Sequence, residues 1–156
     1  MNKYSDFLDK YKLLSYSNKN EELKKSLFEC SNDICRNKVH KSTIEDILNN
    51  DETMGYVAID NNNKYIGFIF FKQYYDDYYL SLIATLPNLH FPLGQILLTK
   101  LEECAISQNA YQIQASAVKE AIDFYRKMGY IDKYLDEESN EYLIEKKLYN
   151  SSTTLI

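Results

Sequence analysis

The spacing of apolar residues switches repeatedly between helical and strand periodicity along this chain. Residues 11–17, YKLLSYS, read as a first strand, and the segment before Tyr11 stays open between an extra helix and a frayed end. Leu23, Leu27 and Cys30 then recur at helical spacing inside NKNEELKKSLFECSNDIC and predict a helix behind its Asn-rich start. STIEDILNN opens on Ser42-x-x-Glu45, a pair whose side chains can satisfy each other's backbone donors, so a second short helix is expected there. From Met54 the composition turns β-branched and aromatic. MGYVAID and KYIGFIFFKQYY flank Asn61-Asn62-Asn63, whose side chains tolerate left-handed backbone, and together they predict a hairpin. Asp76 and Asp77 break the apolar pattern before YYLSLIATL, a third consecutive antiparallel strand that Pro87 and Asn88 end.

The helix expected next carries Leu97, Leu101, Cys104 and Ala105 on one face and Lys100, Glu102 and Glu103 on the other. Tyr111, Ile113, Ala115 and Ala117 alternate with Gln112, Gln114 and Ser116, the period of a strand. Ala121, Phe124, Tyr125 and Met128 fall on one helical stripe of KEAIDFYRKM, with Gly129 placed to end that helix in the left-handed conformation. EYLIEKKL pairs with YIDKYL across the acidic loop DEESN. The resulting order, β-α-α-β-β-β-α-β-α-β-β, describes an α/β (α+β) fold: a mixed, mostly antiparallel sheet of about six to seven strands flanked by helices. No internal repeat or Pro/Gly/Ser linker interrupts it, which predicts a single domain over residues 1–150 and a flexible tail over 151–156.

Composition narrows the class. A chain of 156 residues, 45% hydrophobic and 26% charged, can bury one sizeable core. Its longest apolar runs, IGFIFF and LSLIATL, fall well short of the roughly 20 residues that a membrane-spanning helix needs. MNKYSDFLDKYK lacks the apolar core of a signal peptide, so a cytoplasmic location without a membrane partner is expected. A net charge of −5 with no Lys/Arg stripe argues against a nucleic-acid partner. Three cysteines are few for a disulfide scaffold and are expected to be reduced. Cys30, Cys35 and His40 form a C-x4-C-x4-H string, but structural zinc sites show tighter cysteine spacing and four ligands, so no metal is expected.

The candidate chemistry lies between Leu80 and Tyr130. There a strand leads into Asn88-Leu-His-Phe-Pro-Leu-Gly94, where a helix start offers backbone N–H groups and the positive end of a dipole to a pyrophosphate. Phe124-Tyr125-Arg126-Lys127-Met128-Gly129-Tyr130 closes the following helix. The order and spacing of these pieces, with Gly94 opening one helix and a Phe-Tyr pair inside the next, resemble the cofactor-binding half of the GNAT superfamily of N-acetyltransferases. The resemblance covers roughly residues 54–149.

That resemblance implies acetyl-CoA as cosubstrate, with its pyrophosphate on the backbone of Leu93, Gly94, Gln95 and Ile96. It implies that Leu82, Ile83 and Ala84 pair with the pantetheine arm and offer an N–H to the thioester oxyanion, and that Tyr125 is the general acid at the departing thiolate. Aligned on Gly94, the family's Gln/Arg-x-x-Gly-x-Gly/Ala pattern falls on Leu89, Pro92 and Gly94, of which only the last matches. Val118 stands where the family often has a cofactor-bonding Asn, and His90 is the nearby side chain able to add positive charge. The implied reaction is acetyl transfer to a primary amine, expected on a small molecule, with homodimerisation left open. The departures at Leu89, Pro92 and Val118 keep an alternative alive, a GNAT-like binding or dimerisation module with weakened catalysis. Asp76, Asp77 and Glu120 are positional candidates for a general base, none favoured. Tyr74, Tyr75, Tyr78 and Tyr79 read either as an acceptor pocket or as ordinary strand packing.

Overall fold

The computed structural model describes residues 3–148, so the tail expected from residue 151 lies outside the described residues. The strands are β1 (Lys12–Tyr16), β2 (Met54–Ile59), β3 (Tyr65–Tyr74), β4 (Asp77–Thr85), β5 (Gln112–Ala117), β6 (Ile131–Asp136) and β7 (Glu141–Lys147). The helices are α1 (Glu21–Cys35), α2 (Lys41–Asn49), α3 (Leu93–Ser107) and α4 (Ile122–Lys127), with 3-10 turns at Ser5–Phe7 and Lys119–Ala121. This is the element order expected from the periodicity. The strands hydrogen-bond in the order β1-β2-β3-β4-β5-β7-β6, a seven-stranded mixed sheet. β1–β2, β2–β3, β5–β7 and β6–β7 pair antiparallel, whereas β4–β5 pair parallel.

Contacts divide the chain into two compact units: residues up to Phe71 with Ser81–Thr99, and Lys72–Leu80 with the residues from Lys100 onward. The first unit has a core of helix and strand side chains that includes Leu27, Ile34, Ile44, Leu48, Val57, Phe68 and Phe70. Each such side chain contributes about 1.5–3 kcal/mol when fully buried. α1 starts where the Asn20 side chain accepts from the Leu23 N–H at 3.1 Å and stops at Arg36, whose φ of 53° is left-handed. α2 corrects one expectation, because it begins at Lys41 behind an N-cap His40, with no side-chain cap. Ser42 therefore lies inside the first turn, and the Ser42–Glu45 box has no helix end to close. The His40 carbonyl instead takes the N–H groups of Thr43 and Ile44, while Lys41 reaches back over the Phe28 ring to donate to the Phe28 carbonyl and to Ser31 Oγ. The β2–β3 turn is held by Asp60, whose Oδ1 accepts from the Asn62 and Lys64 N–H groups, with Asn63 at φ 62°.

In the second unit, Ile113, Ala115 and Ala117 are buried on one face of β5, as their alternation predicted. α4 corrects a second expectation. The predicted ten-residue helix is a 3-10 turn followed by six α-helical residues, and its buried members are Ile122 and Tyr125. Ala121, Phe124 and Met128 are only half-buried. The tighter 3-10 winding, closed by the Ala121 N–H on the Val118 carbonyl, resets the angular phase on which the predicted stripe depended. Gly129 does take the left-handed conformation, at φ 92°.

Candidate functional site

In the first unit the polar groups on offer are backbone ones. The parallel β4–β5 ladder joins Asp77–Tyr79 to Gln112–Gln114, and Leu80–Thr85 take no part in it. Leu82, Ile83 and Ala84 lie in that stretch outside the β5 ladder and are half-buried. Leu82 and Ala84 pack on the core of the first unit, so Ile83 points to the opposite face.

The chain leaves β4 through Asn88, at φ 64°, and enters α3 at Leu93. An α-helix leaves its first four N–H groups without an intrahelical acceptor. Here the Leu93 N–H donates to the Phe91 carbonyl at 2.9 Å, and the Ile96 N–H donates to the Pro92 carbonyl at 3.1 Å. Leu93 and Ile96, two of the four expected donors, are thus engaged within the turn itself. Gly94 and Gln95 keep N–H groups with no backbone partner among the described residues. Pro92 immediately precedes α3, where it brings neither an N–H nor a capping side chain. Gly67 lets this turn sit close to β3: a Cβ there would lie 2.8 Å from Leu93 Cδ2 and 3.0 Å from the Ala84 carbonyl oxygen. His90 is exposed in the turn.

Tyr125, in the second unit, is 6% exposed. Its ring meets Phe124 and Tyr130 edge-on, at centroid distances of 5.1 and 5.6 Å. Its hydroxyl has no hydrogen-bond partner among the described residues, and burial pushes the phenol up to about 12. α4 ends just beyond it, the Tyr125 carbonyl accepting from the Met128 and Tyr130 N–H groups. Beside this end lies an ionic cluster that the sequence did not announce. Lys146 Nζ bonds Glu102 Oε1 at 2.9 Å and the Met128 carbonyl at 2.7 Å, and the Tyr130 hydroxyl donates to Glu102 Oε2 at 3.3 Å. Burial and the Glu102 carboxylate together hold the Tyr130 phenol far above its ordinary value. Glu102 had been assigned to the polar face of α3, yet its side chain is 13% exposed. The available signal was Lys146, which shares a strand face with Ile144, buried at 1%, and so calls for a partner.

The three positional candidates for a base differ in their surroundings. Asp77 Oδ2 accepts from Gln112 Nε2 at 3.0 Å and lies five residues before Leu82, roughly 17 Å along the strand. Asp76 and Glu120 are exposed. Tyr78 is core, whereas Tyr74 and Tyr75 are exposed and pack on each other edge-to-face. Among the described residues no three His, Cys, Asp or Glu side chains converge as metal ligands.

This arrangement of strand, capless turn and helix start lies within residues 20–130, the stretch matched by the model of the acetyltransferase (GNAT) family. The chain belongs to the GNAT family. Solved structures repeat its fold. Tetrahymena GCN5 is 21% identical at a TM-score of 0.71, covering 89% of this chain and 96% of that one. The PaiA N-acetyltransferase of Thermoplasma acidophilum, solved in complex with coenzyme A, is 18% identical at 0.64, covering 88% and 98%. The aminoglycoside 6'-N-acetyltransferase of Enterococcus faecium is 15% identical at 0.72, covering 89% and 98%. No curated sequence matches significantly. Family membership carries acetyltransferase chemistry with it. Leu89 and Pro92, which depart from the expected family pattern, lie in the turn that precedes α3. Val118, the other departure, ends β5 in extended conformation, 46% exposed.

Proposed function

We propose that the protein acetylates a primary amine of a small molecule, taking the acetyl group from acetyl-CoA by direct attack in a ternary complex. The observation that carries this reading is the Tyr125 hydroxyl, on a side chain only 6% exposed and without a hydrogen-bond partner among the described residues, so that a donor is left for a ligand partner. A departing sulfur would be that partner.

The residues present fit the cosubstrate. Gly94 and Gln95 offer two N–H groups at the positive end of α3, and Gly94 has no side chain to obstruct a pyrophosphate. The backbone of Leu82–Ala84, outside the parallel ladder, has groups available for a pantetheine arm and for the developing oxyanion. In the reaction the amine nitrogen bonds the acetyl carbon, the C–S bond breaks, and the sulfur leaves with the electron pair. A phenol near 12 is a weaker acid than a thiol near 8.5, so full transfer from Tyr125 is uphill by roughly three to four pK units. Tyr125 therefore acts chiefly as a hydrogen-bond donor to the leaving sulfur, and the proton that the amine releases restores the charge balance.

The reading is tested by thiol release from acetyl-CoA with a panel of polyamines, amino sugars, aminoglycosides and peptides with free N-termini. Release with a small amine supports it, and release with peptides alone moves the acceptor to a protein terminus. The exposed Val118 and the donorless Pro92 favour a second reading, a binding module with weakened catalysis. That module would show no release with any amine and no thermal stabilisation by millimolar acetyl-CoA, whereas a ligand at 100 times its dissociation constant adds about 2.7 kcal/mol. Gly94→Glu tests the placement of the pyrophosphate: it should abolish acetyl-CoA binding in a folded protein, and unchanged affinity would remove the pyrophosphate from this turn.

A further inference from the structure

The segment ahead of β1 was open between an extra helix and a frayed end. It is neither. Tyr4 is 5% exposed, the 3-10 turn Ser5–Phe7 is closed by the Phe7 N–H on the Tyr4 carbonyl and the Leu8 N–H on the Ser5 carbonyl, and Asn61 Nδ2 ties the Asp9 carbonyl at 3.0 Å. This short stretch makes its side-chain contacts with the turn that starts α3. Phe91 stacks with both Phe7 and Tyr11, at centroid distances of 6.2 and 5.8 Å and interplanar angles of 27° and 13°. The Tyr4 hydroxyl donates to Gln95 Oε1 at 3.2 Å.

The contacts fall where the turn is weakest. A Gln at the third helical position ordinarily folds back to the N-cap N–H, and the N-cap side chain ordinarily holds the third N–H in return. Pro92 has neither group to give. Gln95 is then without its usual partner, and Tyr4 takes its place. The bonds recorded inside the turn are those of Leu93 and Ile96, so the direction of the Gly94 and Gln95 N–H groups depends on what grips Phe91 before them and Gln95 from the side.

We propose that Tyr4, Phe7 and Tyr11 are positioning residues that hold the Phe91–Gln95 turn in its pyrophosphate-accepting shape, replacing from outside the order that this turn lacks within. The inference rests on the reading that the pyrophosphate binds at Gly94 and Gln95. A rigid turn holds its donors in place before the ligand arrives, which raises affinity by lowering the ordering cost of binding. The gain is confined to ligands that carry the pyrophosphate.

The test compares two probes, acetyl-CoA and S-acetylpantetheine, the second lacking the pyrophosphate and measured by its displacement of acetyl-CoA. In Phe7→Ala/Tyr11→Ala the acetyl-CoA dissociation constant should rise about tenfold while that of S-acetylpantetheine stays as in the wild type. Tyr4→Phe, which removes one hydroxyl and keeps the ring, should show the same selectivity at about two- to threefold and guards against a double variant that fails to fold. Equal losses for both probes would mean that the segment merely stabilises the fold, and no loss for either would mean that the turn orders itself; both overturn the proposal. Gly94→Glu separates the two levels. If it binds acetyl-CoA normally, the pyrophosphate lies elsewhere and the reading and the inference fall together. If it abolishes binding while the aromatic variants bind normally, only the inference falls.

Discussion

The two units of this chain bury their polar groups in opposite ways. In the first, the interior is mostly hydrocarbon, with Leu27, Val57, Ile69 and Phe70 at 0% exposure, its buried Tyr16, Ser31 and Thr53 hydroxyls donate to backbone carbonyls, and the groups proposed to meet a ligand are backbone N–H. In the second, ionic and hydroxyl groups enter the interior: Glu102, Lys146 and Tyr130 form one cluster beside the end of α4, and Asp77, Gln112, Lys147 and Glu145 form another across β4, β5 and β7. A dry core with backbone donors responds to substitution through volume and little through pH. An interior of paired charges responds to loss of either partner and to titration. The proposed catalytic hydroxyl is in the second environment and the proposed pyrophosphate donors are in the first, so the two halves of the chemistry should fail under different perturbations.

The largest expected effect is in the first unit. Phe68→Ala empties a site that is 1% exposed and should cost about 3–5 kcal/mol in urea unfolding. A loss under 1 kcal/mol would mean that this core is not the close-packed one described. Lys146→Met, the counterpart in the second unit, leaves the Glu102 carboxylate with the Tyr130 hydroxyl alone and the Met128 carbonyl without its donor. Both side chains retain some contact with water, so roughly 2 kcal/mol is expected, below the range for a fully buried pair. Lys146→Met/Glu102→Leu should regain part of that loss, since removing both charges leaves none unpaired.

Two tyrosines sharpen the contrast further. Tyr125→Phe should lower turnover about 10- to 100-fold, with melting temperature and acetyl-CoA affinity little changed, because the hydroxyl has no partner to lose among the described residues. Tyr16→Phe should do the reverse. Its hydroxyl donates to the Leu48 carbonyl at 2.6 Å, so its removal should cost about 1 kcal/mol of stability and leave turnover intact. Turnover preserved in Tyr125→Phe would assign that residue to packing alone.

The same two tyrosines also act at high pH. Burial pushes both phenols up to about 12, that of Tyr16 with help from Glu21, from an ordinary value of 10. A group whose pKa is raised on folding contributes stability that is whole below its unfolded value and is lost as pH climbs through its folded one. Stability should therefore hold to about pH 10 and decline toward pH 12. Denaturation at pH 9 and 11.5 should show a shallower decline for Tyr16→Phe and for Tyr125→Phe than for the wild type. Equal slopes in all three would mean that neither phenol is buried as described.

Much of this was legible along the chain because local periodicity reports which side of an element is dry. Leu23 and Leu27, or Ile113, Ala115 and Ala117, declare their buried faces whatever the rest of the molecule does. The Tyr-x-x-x-Gly ending was legible too, since Gly129 needs a left-handed conformation that few other residues tolerate. Periodicity failed where its phase was reset, at the 3-10 turn before α4, and where a helix began two residues early, at Lys41.

The sequence by itself determined the order of elements, the β–turn–α junction at Gly94 and the burial of Tyr125. Only the tertiary structure decided which polar groups are spent and which are left over. Two of four helix-start N–H groups are used inside their own turn, Asp77 is tied to Gln112, Glu102 is drawn into an ion pair, and the Tyr125 hydroxyl has no partner among the described residues. The reason is physical. Apolar burial is additive and nearly directionless, so a one-dimensional pattern captures it, whereas a hydrogen bond exists only when two particular atoms meet at the right distance and angle. For Tyr4 and Gln95 those atoms stand ninety-one residues apart in the chain.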